Sequence, residues 1–281
     1  MADQWDDTRV QRWLGQSEGI DRQLAPVTDA LFAAADLQGG ERVLDVGCGH
    51  GPTTRLAARA VGRGGSVTGL DLADAMLRAA AAVPPGPEAA PIEWINADAV
   101  DWDPVGSGVD PHHVVISRYG VMFFSDPVKA FTNIRASAPE GRLAIATWAH
   151  RHRSDMFEVP LAAALDVMAR RGVAVDPPEP DEGAFSLCTA QRLTDVLTEA
   201  GWSDVDTVEH GAAMVIGGGT DIDTAARAGL DLGPTRVVTT GQPEDLRAEV
   251  IEAIADAYRS HLTADGHVAL GGTFLITTAS A

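Results

Sequence analysis

Short apolar runs alternate with longer segments of helical spacing between residues 41 and 148. Each run is rich in β-branched residues and too short for a helix, which predicts a buried strand. The predicted strands are residues 42–46, 66–70, 92–95, 114–118 and 142–148. Helices are predicted between them at 53–61, at 73–82 and after Asp126, a residue type favoured at the N-cap. This alternation predicts an α/β fold with a doubly wound parallel sheet.

The segment before the first predicted strand has the spacing of two helices. Apolar residues that can share a face of the first helix are Trp5, Val10, Trp13 and Leu14. Those of the second helix are Ile20, Leu24, Val27, Leu31 and Phe32. Pro26 lies near the first turns of the second helix, and Gly39-Gly40 ends it. We therefore predict an N-terminal helical cap over residues 1–40 that packs on the sheet.

The alternation of strand and helix breaks after the fifth predicted strand. A helix at 157–171 and a proline-rich, acidic loop at 176–182 predict a lid insertion over residues 149–188. The remaining chain, residues 189–281, is predicted to complete the core. Its predicted elements are helices at 189–200, 221–230 and 243–262 and strands at 202–209 and 268–278, the last of which could be a hairpin. The segment at about 217–264 is a second helical insertion, and its glycines 217–219 form a flexible connector.

Composition and charge limit what the chain can bind. With 281 residues, 45% of them apolar, the chain can bury an ample core. Its formal net charge of −19 argues against a nucleic-acid partner, because a phosphate backbone requires a basic groove. The cysteines, Cys48 and Cys188, lie far apart, which indicates a reducing compartment. Without a membrane-length apolar run or a secretory pattern, we expect a soluble cytoplasmic protein with no membrane partner. A homodimer is one candidate for its oligomeric state, which the sequence leaves open.

The first predicted strand runs directly into a glycine-rich turn, Gly47-Cys48-Gly49-His50-Gly51. Pro52 follows, in a position that is favoured in a first helical turn. A strand, a glycine turn and a helix form the first half of a nucleotide-binding βαβ unit. The spacing is G-x-G-x-G, whereas the dinucleotide pattern G-x-G-x-x-G requires a glycine where Pro52 stands. This difference argues against an NAD site.

Residues suited to binding a ligand collect where the predicted strands end. Ligands of doubly wound sheets bind at the carboxyl ends of the strands. The residues at these ends are Gly47, Asp71, Asp98, Ser117 and Trp148. The sequence therefore predicts a ligand site along this edge of the sheet, independently of any likeness to known proteins.

Four motifs resemble, in order and spacing, those of the class I S-adenosylmethionine-dependent methyltransferase family. They are residues 43–51, Asp71 after the second strand, residues 95–99 and residues 114–118. The likeness covers roughly residues 41–148 and continues more loosely to the C-terminus. It implies a Rossmann-like seven-stranded sheet with helices on both faces, N-terminal helices, a helical lid, and S-adenosyl-L-methionine as the methyl donor. N-terminal helices of this family often fold over the cofactor, which makes Trp13 a residue of interest.

The resemblance also implies roles for single residues. Asp71 would hold the ribose hydroxyls, since a carboxylate can accept two hydrogen bonds, although it could instead cap a helix. Asp98 would contact the adenine amino group, and Gly47 and Gly49 would let the backbone approach a cofactor that has no phosphate. Asp45 would orient the turn and the cofactor ammonium group, or only stabilise the turn. The other predicted cofactor contacts are Leu72, Met76, Ala97, Ala99 and Ser117, of which Leu72 and Met76 could instead belong to the core.

Methyl transfer is an in-line displacement, in which the enzyme holds the acceptor against the methyl carbon. A base is needed only if the acceptor must lose a proton. His150, just after the fifth predicted strand, is the first candidate for a catalytic base, followed by Tyr119 and His152. His150 could instead be a solvated residue of the basic segment 150–153. No cluster of His, Asp and Glu has metal-site spacing, so we expect no metal.

These features predict methyl transfer from S-adenosylmethionine to an O, N, S or activated C of a small, largely apolar metabolite, in secondary metabolism. The apolar loop at residues 119–124 would help to line the acceptor pocket beneath the lid. One alternative is a cofactor-binding protein of the same fold with cyclase or isomerase chemistry, in which the sulfonium acts as a fixed charge. An NAD-dependent oxidoreductase is less favoured because of the glycine spacing. The fold does not identify the acceptor.

Overall fold

The computed structural model describes the backbone of residues 7–281 and the side chains from Leu14 onwards. The predictions for Trp5, Val10 and Trp13 lie outside the residues whose side chains are described. Two helices, α1 (Asp7–Gln23) and α2 (Ala25–Ala35), lead into the sheet.

In this part of the chain, seven strands form one mixed sheet in the order β3-β2-β1-β4-β5-β7-β6. The strands are β1 Arg42–Val46, β2 Ser66–Asp71, β3 Ile92–Asn96, β4 Val114–Arg118, β5 Arg142–Trp148, β6 Ser203–Val215 and β7 Ala269–Ser280. The first five strands pair in parallel, whereas β7 is antiparallel to both of its neighbours, β5 and β6. The predicted α/β fold class and its seven-stranded Rossmann-like sheet are confirmed.

Helices cover both faces of the sheet. After α2 they are α3 Pro52–Val61, α4 Asp74–Ala81, α5 Pro127–Ala136, α6 Asp155–Arg170, α7 Ala190–Glu199, α8 Ile222–Asp231, α9 Gly233–Thr239 and α10 Glu244–Tyr258. One apolar core joins α2, α3 and α6 to one face, and a second joins α5 and α7 to the other. Strands β1, β4 and β5 are buried on both faces, which is why their sequences are nearly continuous apolar runs. None of the described helices is long and apolar enough to cross a membrane.

The ends of several helices follow local sequence signals. Asp126 caps α5 by accepting a hydrogen bond from the Lys129 N–H at 3.0 Å, as predicted. Thr189 caps α7 in the same way. The predicted span of the second N-terminal helix is wrong: α2 begins only at Ala25, because Pro26 occupies its first turn. It ends at Ala35, where Asp36 adopts a left-handed conformation (φ 44°), well before Gly39-Gly40.

The C-terminal half differs more from the prediction. Strand β6 extends to Val215, and β7 is one long strand with no hairpin. The predicted helix to Leu262 ends at Tyr258, and the short helix α9 was not predicted. Helix α6 packs against α8, α9 and α10, so the two predicted helical insertions meet in one unit. We call these four helices the lid.

The connection between β3 and β4 contains turns but no helix within the described residues. Trp102 fills the space beside the sheet, since its side chain is buried in the same core as α5. This leaves the carboxyl end of β3 bordered by the loop of residues 97–113.

Candidate functional site

The glycine turn lies between β1 and α3, at the carboxyl end of β1. Its glycines 47, 49 and 51 all have left-handed backbones, with φ of 65°, 55° and 80°. A Cβ atom at Gly47 would lie only 2.5 Å from the Cα of Gly120, in the loop after β4. Gly47 therefore has to be glycine because two backbones meet there.

Gly49 has a different environment. A Cβ atom built on it would meet nothing within 4 Å, so this part of the turn faces open space. Its N–H donates a 2.7 Å hydrogen bond to Oδ2 of Asp71. Bare backbone beside a carboxylate at a strand end is a surface that a polar ligand can approach closely.

Asp71 connects the turn to α4. Its Oδ2 accepts from Gly49 and its Oδ1 accepts from the Ala73 N–H at 2.8 Å. Ala73 is the N-cap residue of α4 and has no side-chain cap, so Asp71 holds the approach to the helix without being its N-cap. Burial raises the pKa of the Asp71 carboxyl group. Each carboxylate oxygen has a further lone pair, so two ligand hydroxyls can still be bound.

Asp45 lies beneath the turn and is fully buried. Its Oδ2 accepts hydrogen bonds from the hydroxyls of Thr53 and Thr54, at 2.7 and 2.6 Å, in the first turn of α3. Its Oδ1 is buried without a partner among the described residues. Burial raises the pKa of Asp45 to about 6, despite the two threonine hydroxyls. Of the two predicted roles, this geometry favours the second, in which Asp45 stabilises the turn from below without direct contact with a ligand.

Among the residues predicted to contact the cofactor near its adenine, some are half-buried and others are fully buried. Asp98, Leu72 and Ala97 are half-buried, and Oδ1 of Asp98 accepts from the Val100 N–H at 2.9 Å. Ala99 and Met76 are buried. Met76 packs with Ala73 and with Leu14 of α1, and Ala99 belongs to the core of α5, so both predicted contacts are better described as core.

Ser117 is the clearest correction among the predicted cofactor contacts. Its side chain is fully buried, and its hydroxyl donates a 2.7 Å hydrogen bond to the carbonyl of Val46 in the neighbouring strand. The hydroxyl is thus used inside the sheet. Position alone suggested a ligand contact, but the alternation of side chains along β4 turns this one inward.

Helix α1 is tied to the turn by an ion-pair network that the sequence analysis did not identify. One carboxylate oxygen of Asp21 lies 2.6 Å from the Arg118 guanidinium, and the other lies 3.0 Å from Nε2 of His50 in the turn. Arg118 also donates to the hydroxyl of Thr28 on α2. Burial alone would raise the pKa of Asp21, but His50 and Arg118 outweigh it and hold that pKa below its usual value. Asp21 therefore holds α1 over the turn.

Tyr119 follows β4 and has an unusual environment. Its backbone is left-handed (φ 68°), and its ring stacks on Trp148 with centroids 4.2 Å apart. Its hydroxyl is buried and has no hydrogen-bond partner among the described residues. Burial raises the pKa of this hydroxyl well above its usual value, which favours the protonated phenol. The buried, unpartnered hydroxyl therefore disfavours the role of Tyr119 as a catalytic base, which stays a prediction.

His150 is half-buried at the start of a basic segment. Arg151 and His152 both pair with Glu158, and the His150 ring lies 5.1 Å from that of His152. No hydrogen-bond partner orients the His150 side chain within the described part of the chain. An oriented base needs such a partner, so the geometry favours the alternative of a solvated loop histidine.

Four aromatic residues form a cluster where the lid meets β5. The ring of Phe157 on α6 meets the edge of Trp148 at 5.0 Å, and Phe185 meets Phe157 at 5.1 Å. With Tyr119 these residues are buried, and we call them the aromatic cluster. Gly120, the next residue after Tyr119, rests against Gly47, so the cluster adjoins the glycine turn.

Two other observations bear on possible ligands. A shallow depression lined by Glu41, His113 and Arg142 lies at the amino ends of the parallel strands, which is the wrong edge for a ligand of such a sheet. Across the described residues, no three His, Cys, Asp or Glu side chains are arranged to hold a metal ion. The open face of Gly49 and the Asp71 carboxylate fit a cofactor with ribose hydroxyls and no phosphate.

Comparison with known proteins agrees with this site. A family model described as a methyltransferase domain matches residues 43–141. Nocamycin O-methyltransferase of Saccharothrix syringae is 30% identical over 198 residues, which cover 64% of this chain and 65% of the relative. Trans-aconitate 2-methyltransferase of Klebsiella pneumoniae is 31% identical over 177 residues, with 63% and 61% covered. The chain thus spans less than two thirds of the length of these two relatives.

A solved structure from Anabaena variabilis, described as a methyltransferase from an antibiotic biosynthesis pathway, shares the fold. The two structures superpose with a TM-score of 0.57 at 17% identity, over 90% of this chain and 96% of the other. The strand order, the motifs and these likenesses agree. Residues 43–141 match a methyltransferase domain, and the chain is similar to methyltransferases in sequence and in fold.

Proposed function

We propose that this protein binds S-adenosyl-L-methionine at the glycine turn and transfers its methyl group to a small, largely apolar metabolite. The observation that carries the proposal is the pairing of Gly49 with Asp71. Bare backbone faces open space there, beside a carboxylate that the Gly49 N–H holds at 2.7 Å. The likeness to methyltransferases supports the same cofactor.

The residues of the site would divide the work of binding. Asp71 would hold the ribose hydroxyls, and Asp98 would accept from the adenine amino group. Asp45 would keep the turn and the first turn of α3 in place from below, through Thr53 and Thr54. When bound, the cofactor supplies an electrophilic methyl group on its sulfonium. The buried aromatic cluster would exclude water from the space next to it.

The charges near the aromatic cluster favour an uncharged acceptor. The neighbouring cations, Arg118 and Arg151, are engaged by Asp21 and Glu158 at 2.6 and 2.7 Å. Each guanidinium is therefore already paired with a carboxylate, which weakens its attraction for a carboxylate of the acceptor. The name of the Klebsiella relative indicates a carboxylate-bearing acceptor, so we propose a different class of acceptor for this chain.

Among the described residues, no oriented base lies near the aromatic cluster, and this limits the kinds of acceptor atom that can react. Burial raises the pKa of Tyr119, and His150 has no partner to orient it among the described side chains. We therefore propose an acceptor atom that is nucleophilic without help, such as an acidic hydroxyl, an amine, a thiol or an activated carbon.

The proposal is tested by calorimetric titration with S-adenosylmethionine, S-adenosylhomocysteine and NAD. The first two should bind to the wild type, and Asp71→Ala should weaken both about 100-fold, since two hydrogen bonds to a charged group are lost. The control is Asp74→Ala, which removes an exposed carboxylate three residues away whose partner among the described residues is Arg78. Binding of NAD alone would refute the assignment of the turn. Turnover of an acceptor without release of S-adenosylhomocysteine would indicate the alternative, non-methylating chemistry.

A further inference from the structure

Tyr119 combines three features that a core residue does not need. Its backbone is left-handed at φ 68°, a conformation that is strained for a non-glycine residue. Its hydroxyl is fully buried without a partner among the described residues. Its neighbour Gly120 packs directly on Gly47 of the glycine turn. Backbone strain and an unsatisfied buried donor together indicate a residue kept for function.

We propose that Tyr119 positions the methyl acceptor by donating a hydrogen bond from its neutral hydroxyl to an oxygen of an uncharged, flat, conjugated ring system bound against Trp148. This inference rests on the proposed function, because it places the acceptor next to the turn that would hold the methyl donor. It assigns Tyr119 a binding role in place of the predicted role as a base.

The shape of the cluster determines the class of acceptor. Tyr119 and Trp148 stack almost in parallel, with an interplanar angle of 14°, while Phe157 lies at 87° to Trp148 and Phe185 lies at 90° to Phe157. Aromatic faces and edges of this kind bind flat rings through stacked and edge-to-face contacts. A flexible aliphatic chain would gain less from these contacts than a fused ring.

The hydroxyl of Tyr119 determines which polar group of the acceptor can lie beside it. A buried phenol that does not ionise near neutral pH can donate one hydrogen bond but cannot take a proton. Its best partner is a carbonyl or hydroxyl oxygen, which accepts that bond. Arg118 and Arg151 each already pair with a carboxylate, which weakens their attraction for an anionic group of the acceptor.

The cluster is closed in this structure, because its four rings cover one another. Phe157 and Phe185 come from the lid side, whereas Tyr119 and Trp148 come from the ends of β4 and β5. An acceptor bound on Trp148 would therefore replace the ring of Phe157. The strand-end pair would stay in place as the floor of the site.

The test begins with Tyr119→Phe, which removes only the hydroxyl. Tyr258→Phe is the matched control, because the Tyr258 hydroxyl is also buried without a described partner but lies between α10 and Gly229 of α8. Neither change breaks a hydrogen bond among the described residues, so both variants should melt at or above the wild-type temperature. A clearly lower melting temperature for Tyr119→Phe would show that its hydroxyl has a structural partner, and would overturn the proposal.

Binding is then measured by ligand-observed NMR with protein saturated with S-adenosylhomocysteine. The probes are 1-tetralone, an uncharged fused-ring ketone, and tetralin, the same ring system without the oxygen. The wild type and Tyr258→Phe should prefer 1-tetralone by about five- to tenfold, which is the worth of one hydrogen bond, and Tyr119→Phe should lose this preference.

Two results would overturn the inference: no binding of 1-tetralone to the wild type, or an unchanged preference in Tyr119→Phe. Both are informative only if S-adenosylhomocysteine binds in the same sample. Failure of that binding would instead refute the proposed function, so the two failures are distinguishable.

Discussion

At the scale of single residues, the glycines of the turn are required for different reasons. Gly47 is fixed by contact between two backbones, because a side chain there would collide with Gly120. A Cβ atom at Gly49 would meet no protein atom within 4 Å. The residue type there is therefore restricted only by the left-handed backbone and by the ligand that binds beside it. Substitution can therefore separate stability from binding at Gly49.

We expect Gly49→Ala to lose about 1 kcal/mol of unfolding free energy, the cost of a Cβ in a left-handed conformation, and at least tenfold in affinity for S-adenosylmethionine. The control is Gly108→Ala, at a glycine of similar φ (68°) and equally open surroundings in a distant loop. It should lose similar stability and no affinity. Urea unfolding and calorimetry give the two quantities, and equal affinity in the two variants would contradict the role of Gly49.

Asp45 gives a pH-dependent prediction. Its pKa is raised by burial to about 6 from 3.8, so the folded state holds the proton more tightly than the unfolded state. The stabilising effect of the bound proton is complete below pH 3.8 and is lost as the pH rises through about 6. Asp45→Asn removes this dependence and keeps an oxygen for Thr53 and Thr54.

The unfolding free energy of Asp45→Asn relative to wild type should therefore rise by about 1 kcal/mol between pH 5 and pH 7.5. Urea unfolding of both proteins at the two pH values measures the difference. A difference that does not change with pH would show that Asp45 ionises in the folded state as it does in the unfolded chain.

Sequence position predicts some of these residues better than others. The position of Asp71 at the site could be predicted because this residue directly follows a buried strand. All parallel strands of a sheet end at the same edge. Ser117 also ends a strand, but which face its side chain takes depends on the pleat of β4, and its hydroxyl bonds to Val46. Met76 and Ala99 became core for the same reason: burial depends on what packs against a residue from elsewhere in the chain.

At the scale of elements, the attachment of α1 to the site can be tested through the ion pairs of Asp21. Asp21 lies 29% exposed between His50 and Arg118, and Arg118 is only 9% exposed. Neutralising Asp21 would leave a nearly buried guanidinium without its carboxylate, which is costly. The effect should appear first in α1, the element that Asp21 holds.

We expect Asp21→Asn to speed amide hydrogen exchange across residues 14–23 by more than about tenfold, while the exchange of α7 is unchanged. Glu18→Gln is the control, since the Glu18 side chain on the same helix is 91% exposed and pairs only with Arg22. Mass spectrometry of exchanged peptides measures both. Equal exchange in the two variants would mean that α1 is held by its apolar contacts alone.

Elements with local signals were predicted closely, and those set by distant contacts were not. The cap residues Asp126 and Thr189 each bond to a backbone N–H only three residues later. The local sequence is therefore enough to predict where α5 and α7 start. The Asp21–His50 contact joins residues 29 positions apart and has no local pattern. Helix α9 begins at Gly233-Pro234, which reads as a loop unless the packing of the lid is known.

At the scale of the whole molecule, the charge is the dominant feature. A net charge of −19 on 281 residues makes the folded state repel itself. Several of its ion pairs, such as Arg63 with Glu88, are exposed and contribute little. The same excess of negative charge is the basis for our proposal that nucleic acid is not a partner.

We therefore expect the melting temperature at about pH 7.5 to rise when NaCl increases from about 0.01 to about 0.1 M, as the Debye length falls from about 30 to about 10 Å. Near the isoelectric pH of about 4.6 the rise should disappear. Thermal scans at the two pH values measure this. An equal rise at both would indicate a specific ion effect in place of screening.

The contact of Gly47 with Gly120 places no side chain between the turn that would hold the methyl donor and the loop that carries Tyr119. A shift of the turn would therefore pass to the Tyr119 peptide through this backbone contact. Two adjoining stretches of bare backbone would in this way couple the site of the donor to the site of the acceptor.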